Sequence, residues 1–190
     1  SDWESKKIIV IADEIYQEGV IGLVAGRLVE EVYRPSVVIS KRDRASKASV
    51  RSVSGFNIIK FLRLHKKHFI NVGGHPMAAG FTVETESIED LILLLEASAN
   101  EHVAEEMLEK RVKIDLELDF ERVSQSLYLS LARLEPFGMG NPRPVFLSKK
   151  VNVLESKILG KQGDHLKLLL GEGSGIEAIG FGMGERFPLF

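Results

Sequence analysis

Not one of the 190 residues is a cysteine. Disulfides and thiolate metal centres are therefore excluded, and the composition agrees with a reducing cytoplasm. No run approaches eighteen apolar residues, so no membrane span is expected. The opening SDWESKK has no apolar signal region, so secretion is not indicated. Recognisable catalytic patterns are missing too. There is no G-x-x-x-x-G-K-[ST] phosphate loop, no Ser/His/Asp set around an elbow, and no pair of acids with acid–base spacing. Asp13 and Glu14 close an apolar run, but neighbours on a strand point to opposite faces. They do not amount to a carboxylate cluster for two divalent ions. His65 and His68 are three apart, yet Lys66 and Lys67 stand between them and repel a cation, so a metal is not expected there.

Large net charge is absent as well. The total is only −2, which by itself argues against nucleic acid as a partner. The distribution says otherwise. Lys41 to His68 holds nine Lys or Arg and one acid, a balance of +8. Glu84 to Arg122 holds thirteen acids and four bases, a balance of −9. Such polarity reads either as two differing solvated faces or as a basic surface that meets phosphates.

What is present is a hydrophobic fraction of 44%, enough for a sizeable core. Lys7 to Ala12 (KIIVIA) predicts a buried strand. Gly19 to Val32 predicts a helix with Val20, Leu23, Val24, Leu28 and Val32 at helical spacing. Gly22 and Gly26 inside it permit close packing on a sheet. Ser36 to Ser40 predicts a second strand, and strand–helix–strand in this length predicts a parallel βαβ unit. Ala48 to Val53 is a third strand. Asn57 caps a helix from Ile58 to His65. Phe69 to Val72 and Phe81 to Glu84 are extended. Ser87 caps a long helix from Ile88 to about Lys110, with Ile88, Leu91, Leu95 and Val103 on its apolar stripe. Val112 to Phe120 alternates strictly and predicts a half-buried strand. A helix from Glu121 to Leu134, the loop PFGMGNPRP and four strand-like runs follow: Val145 to Leu154, Ser156 to Leu159, His165 to Leu170 and Ile176 to Phe181. The expected architecture is an α/β domain with a mixed sheet, residues 1–110, then a mainly β domain with joining helix and loop, residues 111–190. The long helix acts as spacer.

Two stretches carry candidate binding chemistry. In GGHPMAAGF, Gly73 and Gly74 let backbone amides approach a ligand, and His75 offers a donor. A tight turn with its histidine satisfied by a carbonyl explains the same residues. In ASVRSV, Ser49 and Arg51 share one face of a strand, a hydroxyl beside a guanidinium that forks onto phosphate oxygens. An ordinary exposed edge strand is the alternative.

GGHPMAAGF resembles the glycine-glycine-histidine motif of the accessory domain in DHH-family phosphoesterases. EGVIGLVAGRL, ASVRSVSGFN and LEPFGMGNPRPVF extend the match in order, over about Lys7 to Glu185. The last stretch is similar to the joint before the OB-fold in the branch of that family that degrades single-stranded DNA 5′ to 3′. The resemblance implies an accessory domain followed by an OB-fold, complete or truncated, in a C-terminal part of an exonuclease. The Mn²⁺- or Mg²⁺-binding DHH domain is expected before residue 1, with neither catalytic residues nor metal ligands here. It implies that Ser49, Arg51 and Ser52 hold a 5′ phosphate and that Gly73, Gly74 and His75 contact the nucleotide. Lys41, Arg42, Arg44, Lys47, Lys60 and Arg63 are expected to line the strand's entry, and Lys149, Lys150 and Lys167 its path on the OB-fold. The implied partners are 5′-phosphorylated single-stranded DNA, the chain's own N-terminal DHH domain, a single-strand-binding protein and a RecQ-type helicase, in recombination and repair in the cytoplasm. Gln17 stands where the family pattern has histidine. Two other readings stay open: a phosphoesterase for short oligonucleotides or cyclic dinucleotides, and a non-catalytic single-strand-binding module of replication.

Overall fold

The computed structural model describes Trp3, residues 5–138 and residues 140–189; Met139, in the PFGMGNPRP loop, lies outside the described residues. The chain divides into two units, Ser1–Arg111 and Val112–Phe190. In the first, β1 (Ile9–Asp13), β2 (Ser36–Ser40), β3 (Ala45–Arg51), β4 (Asn71–His75) and β5 (Ala78–Glu84) form one sheet in the order β1-β2-β3-β5-β4. β1 and β2 are parallel and joined by α1 (Ile21–Val32); the other pairs are antiparallel. Parallel neighbours need such a crossover, whereas hairpins suffice for the rest.

Alternation sends the sheet's side chains to two faces. Val37, Ile39, Ala48, Val50, Ala79, Phe81 and Val83 point to the main core, where α2 (Ile58–Leu64) and α3 (Ile88–His102) pack. Asn57 caps α2 as expected, its side chain accepting from the Lys60 amide. The opposite face carries Ile9 and Val38, covered by Ile21, Ala25 and Leu28 of α1.

Several expectations change. Val20, at the cap of α1, and Leu23 are exposed, whereas Leu28 of the expected stripe is buried together with Ile21 and Ala25. Both stripes have helical spacing, and only contact with the sheet selects one. Ser87 makes no side-chain cap, and α3 stops at His102. This helix is no spacer, because Ile88, Leu91, Leu95 and Ala99 are built into the first core. The Gly73-Gly74-His75 turn is in fact strand: β4 extends to His75, and Pro76 and Met77 make the turn.

The second unit contains β6 (Leu116–Glu117), α4 (Gln125–Ala132), β7 (Phe146–Leu147), β8 (Val153–Leu159), β9 (His165–Leu170) and β10 (Ile176–Gly180). β10-β9-β8 is an antiparallel sheet, and β6 pairs with β7 in parallel; among the described residues the two sheets stay separate. The strict alternation of Val112 to Phe120 yields only two strand residues. Leu118 is buried there, while Val112, Ile114 and Leu116 are exposed. A pattern becomes a ladder only where a partner strand runs alongside, and β7 offers two residues. The helix expected from Glu121 begins at Gln125, because the Ser124 hydroxyl caps it by accepting from the Leu127 amide. No helix among the described residues is long and apolar enough to cross a membrane.

Histidine links α2 to α3. The His65 ring meets the Ser98 hydroxyl at 2.9 Å, and His102 lies 3.4 Å from that hydroxyl. Burial, with the nearby charges of His68, His102 and Lys67, holds the His65 imidazole below its ordinary range. A depressed histidine contributes stability that is present above its unfolded pKa of 6.5 and lost as pH falls through the folded one. The melting temperature of the first unit should therefore drop as pH is lowered from 7.5 to 5. His65→Gln should flatten part of that slope in a pH series of thermal melts.

Candidate nucleic-acid interface

The register places the candidate residues in rungs across three strands. Arg51 on β3 pairs with Ala78 on β5, and Ala78 pairs with His75 on β4. Ser49 pairs with Gly80, and Gly80 with Gly73. Directly paired residues project to the same face, so Arg51 and His75 flank Ala78, and Ser49 faces Gly73 across Gly80. At about 4.8 Å per strand, the Arg51 and His75 backbones stand roughly 10 Å apart. This is the face that α1 covers over β2 and β3. Towards β4 it is open: Gly73 and His75 are exposed, Ala78 and Gly80 half-buried. The result is a shelf with a guanidinium and hydroxyl on one side, an imidazole on the other, and a floor of small residues between.

Arg51 is fixed by its surroundings. Its Nη1 donates to Ser49 Oγ at 3.1 Å and to the Val50 carbonyl at 3.0 Å. Its other donors meet no acceptor among the described residues. The His75 side chain has no hydrogen bond or ion pair with the described residues, so an imidazole satisfied by a carbonyl is not what the structure contains. The two adjacent glycines differ. A Cβ on Gly73 would meet nothing within 4 Å, whereas Gly74, at φ 144°, would drive one to 2.4 Å from Ala79 Cα. Gly74 serves the hairpin and Gly73 the open shelf.

Ser52 does not belong to the shelf. It is buried, its hydroxyl donates to the Phe56 carbonyl at 2.7 Å, and its amide donates to the Met77 carbonyl. It ties the end of β3 to the β4–β5 turn. The basic run from Lys41 does not form one surface either. Lys47 shares the Arg51 face, but its ammonium donates to Glu18 at 2.7 Å and holds that carboxyl below the usual carboxylate range. Arg42 donates to the Glu14 and Tyr16 carbonyls, and Lys41 and Arg44 flank it in the β2–β3 turn. Lys60 and Arg63 sit on α2, which packs against the other face of the sheet. Gln17 is exposed before α1, its carbonyl accepting from the Val20 amide.

In the second unit, Lys149 pairs with Glu117 and Lys167 with Glu177, each at 2.6 Å. Lys150 lines a cleft with Glu117, Asp119, Glu121 and Glu172. The basic path expected through Lys149, Lys150 and Lys167 is thus interrupted by acids from elsewhere in the fold. Exposed pairs of this kind are worth about 0–1 kcal/mol. Among the described residues, no three His, Asp or Glu gather to hold a metal ion. No metal-dependent step is assigned to these side chains.

Sequence reasoning took Gly22 as a packing residue only. It stands on α1 directly against the Arg51 and Ser49 side chains. Helical spacing carried no sign of that neighbour.

Comparison with known proteins places these observations. Residues 5–101 match the DHHA1 domain model and residues 114–190 the RecJ OB domain model. The chain is 33% identical over 180 residues to a Bacillus subtilis protein named single-stranded-DNA-specific exonuclease RecJ, covering 93% of this chain and 23% of that protein. It is 30% identical to the protein of that name from Thermus thermophilus, covering 94% and 25%. The fold is similar to the crystal structure of Thermus thermophilus RecJ in complex with Mn²⁺, with a TM-score of 0.79, 29% identity, and coverage of 95% of this chain and 26% of that one. The chain spans about a quarter of the length of these relatives.

Proposed function

The chain belongs to the DHHA1 domain family, with a RecJ OB domain behind it, and from that premise we propose that it grips the 5′ end of single-stranded DNA for a metal-dependent exonuclease. The observation that carries this reading is the rung Arg51–Ala78–His75 beside the rung Ser49–Gly80–Gly73. Arg51 and Ser49 hold the terminal phosphate, the guanidinium presenting two parallel donors to its oxygens. The sugar and base lie over Gly73 and Gly80, and His75 donates from the far side. The OB domain carries the following nucleotides, with Lys149 and Lys167 exchanging their carboxylates for phosphates.

Hydrolysis is assigned to a DHH domain with Mn²⁺ or Mg²⁺. The chain alone binds without cleaving. On this reading the parent enzyme works in recombination and repair in the cytoplasm, beside a single-strand-binding protein and a RecQ-type helicase.

The test is binding by fluorescence anisotropy. A 5′-phosphorylated single strand should bind more tightly than a 5′-hydroxyl strand, a blunt duplex or a dinucleotide, and affinity should fall steeply with salt. Equal affinity for duplex and single strand would overturn the proposal, and tighter binding of the dinucleotide would favour a small-substrate enzyme. No DNA should be lost when Mn²⁺ is added to the pure chain.

A further inference from the structure

The shelf has a back wall, and it belongs to α1. A Cβ built on Gly22 would lie 3.0 Å from Arg51 Nη2 and 3.3 Å from Ser49 Oγ. Those distances are tighter than ordinary carbon contacts, so a methyl at position 22 requires one of the two groups to give by a few tenths of an ångström. The Arg51 tip is the softer of them, the far end of a flexible chain. Gly26, one turn on, has nothing within 4 Å of such an atom. Both glycines lower the helix propensity of α1 by about 1 kcal/mol relative to alanine. Only Gly22 has a structural reason at its position, and that reason is the guanidinium.

We infer that Gly22 sets the pose of Arg51, and through it the preference for phosphorylated over unphosphorylated 5′ ends. This rests on the reading of Arg51 as the end-binding residue. Nη1 is already committed to Ser49 and Val50. The guanidinium is thus held at one corner by Nη1, with Nη2 lying against α1 at Gly22. A methyl at position 22 pushes Nη2 forward, lengthens the Ser49 contact and turns the fork off the phosphate. Gly22 acts through Arg51 and is a positioning residue.

The experiment uses the whole chain and two strands of one sequence, with a 5′ phosphate or a 5′ hydroxyl. The readout is the ratio of their dissociation constants. Gly22→Ala should reduce that ratio about tenfold, the scale of one misdirected charged hydrogen bond. Gly26→Ala should leave it unchanged while making the same change in helix propensity. In the double variant Gly22→Ala/Arg51→Ala, the ratio should equal that of Arg51→Ala alone, since there is no guanidinium left to displace. Thermal melts of the unaltered chain and all four variants identify any loss of folding, and a melt lowered by Gly22→Ala but restored in the double variant also supports the clash. If Arg51→Ala abolishes the preference and Gly22→Ala preserves it, the role of Gly22 is overturned while the reading of Arg51 stands. If the unaltered chain has no preference for phosphate, both fall.

Discussion

Arg51→Ala should weaken binding of a 5′-phosphorylated single strand by about ten- to a hundredfold, and that of a 5′-hydroxyl strand far less. The range follows from hydrogen bonds to charged groups, worth about 1.5–3 kcal/mol, with tenfold for every 1.4 kcal/mol. The contrast between the strands isolates the mechanism. A surface cation that merely attracts the backbone acts on every phosphate, so removing it weakens both strands alike and lowers the salt slope by about one unit. Arg51 is different because two acceptors of the protein already orient it, at 3.1 and 3.0 Å. Lost orientation costs only the ligand that uses it. Arg51→Lys should fail to restore the preference, since an ammonium has no planar fork. Equal losses on both strands would mean that Arg51 does not read the end.

Gly74→Ala should destabilise the first unit by about 2–6 kcal/mol, combining backbone strain of about 1–3 kcal/mol with overpacking of similar size. At φ 144°, a Cβ would lie 2.4 Å from Ala79 Cα and 2.5 Å from the Ala78 carbonyl oxygen. Backbone atoms of β5 are at fault, and they are held by β3 on their other side, so the hairpin cannot relax cheaply. With domain stabilities of about 5–15 kcal/mol, such a loss is visible in any urea or thermal melt. Gly73→Ala next door should change stability by less than about 0.5 kcal/mol, the ordinary range for an open surface position. Its methyl would rise into the shelf instead and weaken strand binding. Similar melts for the two variants would contradict the division of labour between the glycines.

The elements of the first unit were legible because local signals agreed with the fold. KIIVIA and SVVIS became adjacent parallel strands, and Asn57 caps α2. Where two local patterns competed, sequence chose poorly. Val20 and Leu23 stand at helical spacing just as Ile21 and Ala25 do, yet they face solvent. Alternation from Val112 to Phe120 outran the partner strand available to it. The charge count from Lys41 to His68 treated neighbours in sequence as neighbours in space. Lys47 meets Glu18, while Lys60 and Arg63 belong to a helix on the other side of the sheet.

The residue types of the candidate site, a guanidinium with a hydroxyl two positions away and a histidine after paired glycines, were readable from the chain alone, because period-two geometry is local and depends on backbone stereochemistry. Tertiary structure decided which of them meet. Strand order puts β5 between β3 and β4, so Arg51 and His75 share a rung although 24 positions separate them, while buried Ser52 turns away. Register is a long-range property, settled by burying Val50, Phe81 and Val83 on the opposite face, and no window of sequence contains it.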